Sequence, residues 1–238
     1  MCAYEVCGSF SVFKVTPCLK EMLVRAYGQD WSGGRFGWEN IRDVSGNSTD
    51  LWKRDPLVSL EELSDFADRC RGLRGAKSFA RAAKCVTGVA ASPLEVQASM
   101  LFGLSRLRGG EGLSIANNVK INLSNDAQII SDSTLRYADI QLFSPGKMHD
   151  CIVECQGKVI HGSVEAKISD SDRTTALQSM GYDVVLMTYS QLFEPDKFHS
   201  VMKLIASNLG MELKEKTERQ KEFEKRLRSE IFVDWAGI

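Results

Sequence analysis

The stretch from Tyr137 to Gly157 constrains this chain more than any other. It reads Tyr137-Ala138-Asp139-Ile140-Gln141-Leu142-Phe143, a Ser144-Pro145-Gly146 turn signal, then Cys151-Ile152-Val153-Glu154-Cys155-Gln156-Gly157. Two short apolar runs about a turn signal read as a hairpin of strands. Each run carries one carboxylate where an apolar residue is the default. Strand alternation puts Glu154 and Gln156 on the face of Ile152 and puts Cys151, Val153 and Cys155 on the other; Asp139 and Gln141 can then lie opposite Glu154 and Gln156 across the ladder. A carboxylate inside a strand is costly unless paired, hydrogen-bonded or neutralised, and two facing one pocket repel unless a cation lies between them. The pattern asks for a hard divalent ion; a structural ion pair or a polar strand face is the alternative.

What surrounds the hairpin bounds the class of protein. The 238 residues suffice for one sizeable domain, or one with a small appended region, and 43% hydrophobic content is that of a globular chain rather than a disordered one. No run approaches the roughly 18 apolar residues of a membrane span, and the start lacks the pattern of a signal peptide. The chain therefore reads as cytoplasmic, with no membrane partner. Cys2, Cys7, Cys18, Cys70, Cys85, Cys151 and Cys155 make an odd count with no zinc-like spacing, several of them in apolar runs that suit buried free thiols. A formal net charge of −1 excludes a globally basic nucleic-acid binder, so any such contact needs a local patch.

One patch is present. Between Arg69 and Ser92 there is no acidic residue, while Arg69, Arg71, Arg74, Lys77, Arg81 and Lys84 all fall there. Arg74, Lys77, Arg81 and Lys84 recur at the spacing of one helical face, with Phe79, Ala82, Ala83 and Val86 available for the other. A solvated helix face explains such a run, and clustering of a single sign also suits phosphate contact.

Other elements follow from periodicity and caps. Tyr4 to Lys14 reads as a pair of short strands, Leu19 to Tyr27 as a helix, and Gly33 to Gly37 and Ser45 to Thr49 as loops. Val58 to Cys70 and Ala76 to Val86 read as helices. Ser92-Pro93-Leu94-Glu95 has the form of a capping box opening a helix whose stripe is Leu94, Ala98, Leu101 and Phe102, ended by Gly109-Gly110; that cap alone accounts for Glu95. Val119 to Leu123 alternates like a strand and is followed by a polar loop. Beyond the hairpin come a loop with His161, a helix from Asp172 to Met180 closed by Gly181, a buried strand from Val184 to Thr188, a mainly helical stretch from Ser190 to Leu209, and a charged helix from Lys214 to Ile231. The order predicts an α/β fold with a mixed central sheet flanked by helices. The divisions expected are a mainly helical N-terminal region with short strands over 1–91, the α/β domain over 92–209, and a charged C-terminal helix over 210–238.

A helix with a glutamate, a hairpin with Asp139 and Glu154-Cys155-Gln156, then a helix and a strand resemble the PD-(D/E)xK nuclease superfamily of restriction and repair endonucleases. Within it, Glu154, Gly157, His161, Asp172-Arg173, Leu177, Met180-Gly181-Tyr182 and Val184 to Thr188 are similar to the very-short-patch-repair-like endonucleases. The resemblance covers roughly Ser92 to Leu209. Ser59 to Ala91 also resembles the helical lead-in of bacterial proteins that share this domain, some of them compared with abortive-infection and toxin–antitoxin proteins.

The resemblance implies a restriction-endonuclease-like core and an Mg²⁺-dependent endonuclease acting on DNA, with Mn²⁺ as a substitute ion and a homodimer as a compatible assembly. It implies that Asp139 and Glu154 bind the ion, with the carbonyl of Cys155 completing the shell and Glu95 beside it as a direct or indirect ligand. Glu95, Asp139, Glu154, Gln156 and His161 are then the candidate catalytic residues, and Arg74, Lys77, Arg81 and Lys84 the candidate DNA contacts. For His161 a loop or satisfied histidine is the plainer reading, and Asp172 and Arg173 read as a helix-start charge or a structural pair. The family's usual lysine is Gln156 here, which offers hydrogen bonds but cannot take up a proton at neutral pH. A catalytically silent nucleic-acid-binding module of a defence system, or an unrelated α/β protein with structural carboxylates, are the other two readings.

Overall fold

The computed structural model describes residues 2–8, 39–42, 46–53, 55–146, 150–156 and 164–233. The expected helix from Leu19 to Tyr27, the loop from Gly33 to Gly37, and His149 and His161 lie outside them. Two compact units divide at Pro93/Leu94, the second running from Leu94 to Glu230.

The first unit holds helix α1 (Cys2–Cys7), an antiparallel hairpin of β1 (Glu39–Arg42) and β2 (Ser48–Lys53), and helices α2 (Leu60–Arg69) and α3 (Ala76–Ala83). Two expectations give way here. Tyr4 to Cys7 is helical rather than stranded, with Ser9 to Lys14 outside the described residues, and Ser48 and Thr49 begin a strand rather than a loop. Gly46 and the polar Asn47 precede a strand of a hairpin whose two strands are too short for alternation to reveal them. Buried Tyr4 ties α1 down, its hydroxyl donating to the Cys85 carbonyl at 2.9 Å and lying 2.8 Å from Thr87 Oγ1. At the start of α2, Ser59 Oγ accepts from the Glu62 N–H at 3.1 Å and Glu62 Oε2 accepts from the Ser59 N–H at 2.7 Å, a reciprocal cap. Phe66 and Phe79 meet edge to face at 5.8 Å and join α2 to α3.

The second unit is α/β. Its helix α4 (Pro93–Gly103) is buried almost all round rather than on a single stripe, with Leu94, Val96, Ala98, Leu101 and Phe102 all enclosed. It stops at Gly103, short of the Gly109-Gly110 end expected, and a 3-10 turn at Arg106–Arg108 intervenes. Strand β3 (Ile115–Asn122), helix α5 (Asn125–Ser131), strands β4 (Leu135–Leu142) and β5 (Cys151–Gln156), helix α6 (Val164–Ser179), strand β6 (Asp183–Thr188) and helices α7 (Tyr189–Phe193), α8 (Pro195–Asn208) and α9 (Glu218–Ile231) follow. The sheet order is β3-β4-β5-β6, antiparallel except for the parallel β5–β6 pair, so it is mixed. Helix α5 replaces the expected polar loop; its cap is Ser124, which accepts from the Ala127 N–H, and Ala127 is fully enclosed. Ile121, Leu123, Ala127, Ala138, Ile152, Ala176 and Leu177 form a core cluster that fixes α5 and α6 to the strands.

The last helix belongs to this unit through Glu230. Arg228 donates to the Leu192 carbonyl at 2.7 Å and lies 4.8 Å over the Phe198 ring, while Lys216 bridges Glu111 at 2.6 Å and Glu224 at 2.7 Å. These are largely buried ion pairs with several donors satisfied, which is what lets a charged helix pack closely.

Candidate functional site

The β4–β5 hairpin forms as its sequence demands. Ile140 pairs with Val153, Gln141 with Ile152 and Leu142 with Cys151, and continuing that register sets Asp139 opposite Glu154. Asp150 locks the turn: its two carboxylate oxygens accept from the Ser144 N–H at 3.0 Å and from Gln141 Nε2 at 2.6 Å. Next to the pair the regular ladder gives out. Asn118, on β3 where the register to β4 skips Asp139, has φ of 51°, a left-handed conformation that asparagine tolerates better than most residues. The Asn117 amide takes up the slack, donating to the Asp139 carbonyl at 3.3 Å and to Ser99 Oγ on α4 at 2.7 Å. On the other side, Asp139 Oδ2 accepts the Cys155 N–H at 2.8 Å.

The cation between the carboxylates comes from the protein itself. Arg173, in the body of α6, places Nη2 2.7 Å from Glu154 Oε2 and 3.7 Å from Asp139 Oδ1, and donates from it to the Tyr137 carbonyl at 2.6 Å. Mutual repulsion of two strand carboxylates therefore does not by itself require a divalent ion. Of the two readings of Asp172 and Arg173, Arg173 makes a structural pair rather than a helix-start charge, because α6 begins at Val164 rather than at Asp172. The signal was present as the Asp172-Arg173 dipeptide, but nothing local says which strand face an arginine will reach.

Electrostatics make the pair unequal. Burial, reinforced by the Asp139 charge, pushes Glu154 up to about 8 despite Arg173. Burial also raises Asp139, against the Cys155 N–H and Arg173, and the two carboxyls titrate as one system. The pair therefore holds a proton to higher pH than two ordinary carboxyls would, with Glu154 the more strongly raised member. Its Oε1 is buried without a hydrogen-bond partner among the described residues, as is Arg173 Nε.

Glu95 is buried on α4. Its charge reaches the thiol of Cys155, which burial and then Asp139, Glu95 and Glu154 hold well above its ordinary range. By strand alternation Cys155 lies on the opposite face of β5 from Glu154. Among the described residues no group of three or more His, Cys, Asp and Glu is placed to hold a metal ion, so Glu95 does not complete a three-ligand set with the pair. Gln156 is half-buried at the end of β5, in register with Thr188. Cys7, Cys70, Cys151 and Cys155 are free thiols.

The basic face is only partly helical. Lys77 and Arg81 lie in α3 and Lys84 caps it in helical conformation, but Arg74 precedes Gly75, whose φ of 86° breaks the register. Arg74, Lys77, Arg81 and Lys84 are all exposed. Arg81 also donates to the Lys77 carbonyl and to Ser78 Oγ. The four residues belong to the first unit, whereas the carboxylates belong to the second.

Fold and site together define an α/β protein with two opposed strand carboxylates and one guanidinium clustered on a mixed sheet. Set against known protein families, curated proteins and solved structures, the chain matches none of them. No helix among the described residues is long and apolar enough to cross a membrane.

Proposed function

We propose that the unit from Leu94 to Glu230 is a restriction-endonuclease-like domain that hydrolyses phosphodiester bonds of DNA with a divalent ion held by Asp139 and Glu154. The observation that carries this reading is the Glu154 carboxyl, buried with Oε1 lacking a partner among the described residues, beside a second carboxylate across the ladder. A buried oxygen without a donor is a group in reserve for a proton or a cation. The donor set is all oxygen, two carboxylates with the Cys155 carbonyl nearby in sequence, which suits Mg²⁺ or Mn²⁺ completed by water and substrate phosphate. An ion bound there would supply a more acidic water and charge neutralisation at the scissile phosphate.

The chain's own residues set the conditions. The Cys155 N–H orients Asp139, Glu154 must give up its proton, and Gln156 can orient a water by hydrogen bonding without accepting its proton. In the overall reaction a water oxygen bonds to phosphorus as the P–O ester bond breaks, and the leaving oxygen ends as a hydroxyl.

One observation favours a silent nucleic-acid-binding module instead: Arg173 already occupies a cation position on Glu154. Incubation of supercoiled plasmid with Mg²⁺ or Mn²⁺ separates the readings. Nicking by the wild type that Asp139→Asn abolishes is the expected result. Retarded but intact DNA points to the silent module, and neither binding nor nicking to carboxylates that are structural.

A further inference from the structure

We propose that Arg173 is a displaceable resident cation: it holds the Asp139–Glu154 pair while no divalent ion is bound and passes to a substrate phosphate when one arrives. This rests on the nuclease reading and assigns Arg173 a positioning role within it.

Three features carry the inference. The first is how little of the guanidinium is used. A guanidinium carries five N–H donors and binds a carboxylate best through two parallel bonds. Here the contacts to Glu154 Oε2, Asp139 Oδ1 and the Tyr137 carbonyl all fall on Nη2, while Nε is buried with no partner among the described residues. An end-on arrangement of that kind is the weaker form of the pair. The second feature lies on the acid side, where Glu154 Oε1 is more than nine-tenths buried and equally unpartnered. Both partners thus keep binding capacity that their mutual contact leaves unused. The third is access, since the Arg173 side chain is 30% exposed and can turn towards solvent without crossing the core.

A divalent ion on Glu154 would face the Arg173 charge at close range, and like charges in a buried site repel strongly. The two cations therefore exclude each other. Once displaced, the guanidinium has the planar fork that matches a phosphate, next to the carboxylates where the scissile phosphate would lie. The guanidinium contributes to DNA affinity only when the ion has displaced it.

The test uses the full chain with Arg173→Gln and Arg173→Lys, read first without DNA. Mn²⁺ is titrated against melting temperature. For Arg173→Gln the half-effect concentration should fall on the order of tenfold, the change that about 1.4 kcal/mol of removed competition brings. Arg173→Lys should fall between, because an ammonium keeps the charge but not the fork. Duplex affinity is then measured twice. With chelator Arg173→Gln should match the wild type; with saturating Mn²⁺ it should bind more weakly. A wild type that responds to Mn²⁺ and nicks DNA, beside variants with unchanged or weaker Mn²⁺ response, overturns the proposal and leaves the nuclease reading standing. Equal loss of DNA affinity with and without metal also overturns it. If no protein responds to Mn²⁺, both fall together. Should Arg173→Gln not fold, an Arg173→Lys protein titrating like the wild type is enough to overturn it.

Discussion

Arg173 reaches Glu154 at 2.7 Å on Oε2, and Glu154 keeps its other carboxylate oxygen buried without a hydrogen-bond partner among the described residues. Burial, with the Asp139 charge beside it, holds the Glu154 proton far above the ordinary carboxyl range, to about 8, against the pull of Arg173. Folding therefore takes up a proton between the unfolded value and that one. The contribution to stability is full below the unfolded value near 4.5 and is lost as pH rises to about 8. For a coupled pair the loss is roughly 2–5 kcal/mol. Glu154→Gln should remove this slope and leave the variant more stable than wild type at pH 8, as urea unfolding across pH 5 to 8.5 would register. Identical pH profiles in the two proteins would show that Glu154 ionises normally.

The basic residues give a second test. Replacing Arg74, Lys77, Arg81 and Lys84 by Gln should weaken DNA binding about equally across sequences and flatten the salt dependence by roughly one unit of slope for each phosphate no longer neutralised. Because Gly75 takes Arg74 out of the helical register, restoring Arg74 alone should recover less than restoring Lys77 and Arg81 together. Electrophoretic retardation over a salt series measures it. An unchanged slope removes α3 from the interface.

On the nuclease reading, Gln156 stands where the PD-(D/E)xK nucleases that the chain resembles usually carry lysine. Gln156→Ala should lower the nicking rate while the Mn²⁺-dependent melting shift stays nearly intact, and Gln156→Lys should be tolerated or stimulatory, since it adds a cation beside the phosphate. Equal rates in the wild type and Gln156→Ala would leave this side chain without a role.

Gly109 bears on the last helix rather than on the chemistry. Its φ is 92°, and an added Cβ would lie 2.5 Å from the Phe223 carbonyl oxygen and 2.8 Å from Leu227 Cβ. Gly109→Ala should cost about 1–3 kcal/mol through overpacking together with backbone strain. Denaturant melts check this, and a neutral substitution would mean that α9 docks more loosely than its packing indicates.

The hairpin was legible from sequence because two different signals agree there: alternation fixed the faces of Asp139 and Glu154, and Ser144-Pro145-Gly146 fixed the turn. Helix α2 was legible from Ser59 and Glu62, a cap that needs only local partners. What escaped depends on distance in the chain. Helix α5 is seven residues of mixed polarity, and its one fully enclosed residue, Ala127, is too small to give a pattern. Arg173 is read as a local charge until α6 is laid against the sheet, and Asn117 as an ordinary strand residue until Ser99 on α4 and the Asp139 carbonyl supply its partners. Repulsion between Asp139 and Glu154 pointed to a divalent ion for the same reason: the two acids are visible in the hairpin, whereas the base that meets them lies 19 residues beyond Glu154.

Because Arg173 and the Glu154 proton relieve the pair, the stability of the ion-free protein no longer discriminates a metal site from a structural cluster; the response to an ion does. The direct measurement is the melting temperature of wild type and Asp139→Asn, with chelator and with Mn²⁺ raised through the millimolar range at pH 8. An ion that binds only the folded state should raise the wild-type value by roughly 5–10 °C at a concentration on the order of 100 times its dissociation constant, and should leave Asp139→Asn unmoved. A wild type indifferent to Mn²⁺ at every concentration would contradict a divalent-ion site at Asp139 and Glu154, and with it the nuclease reading.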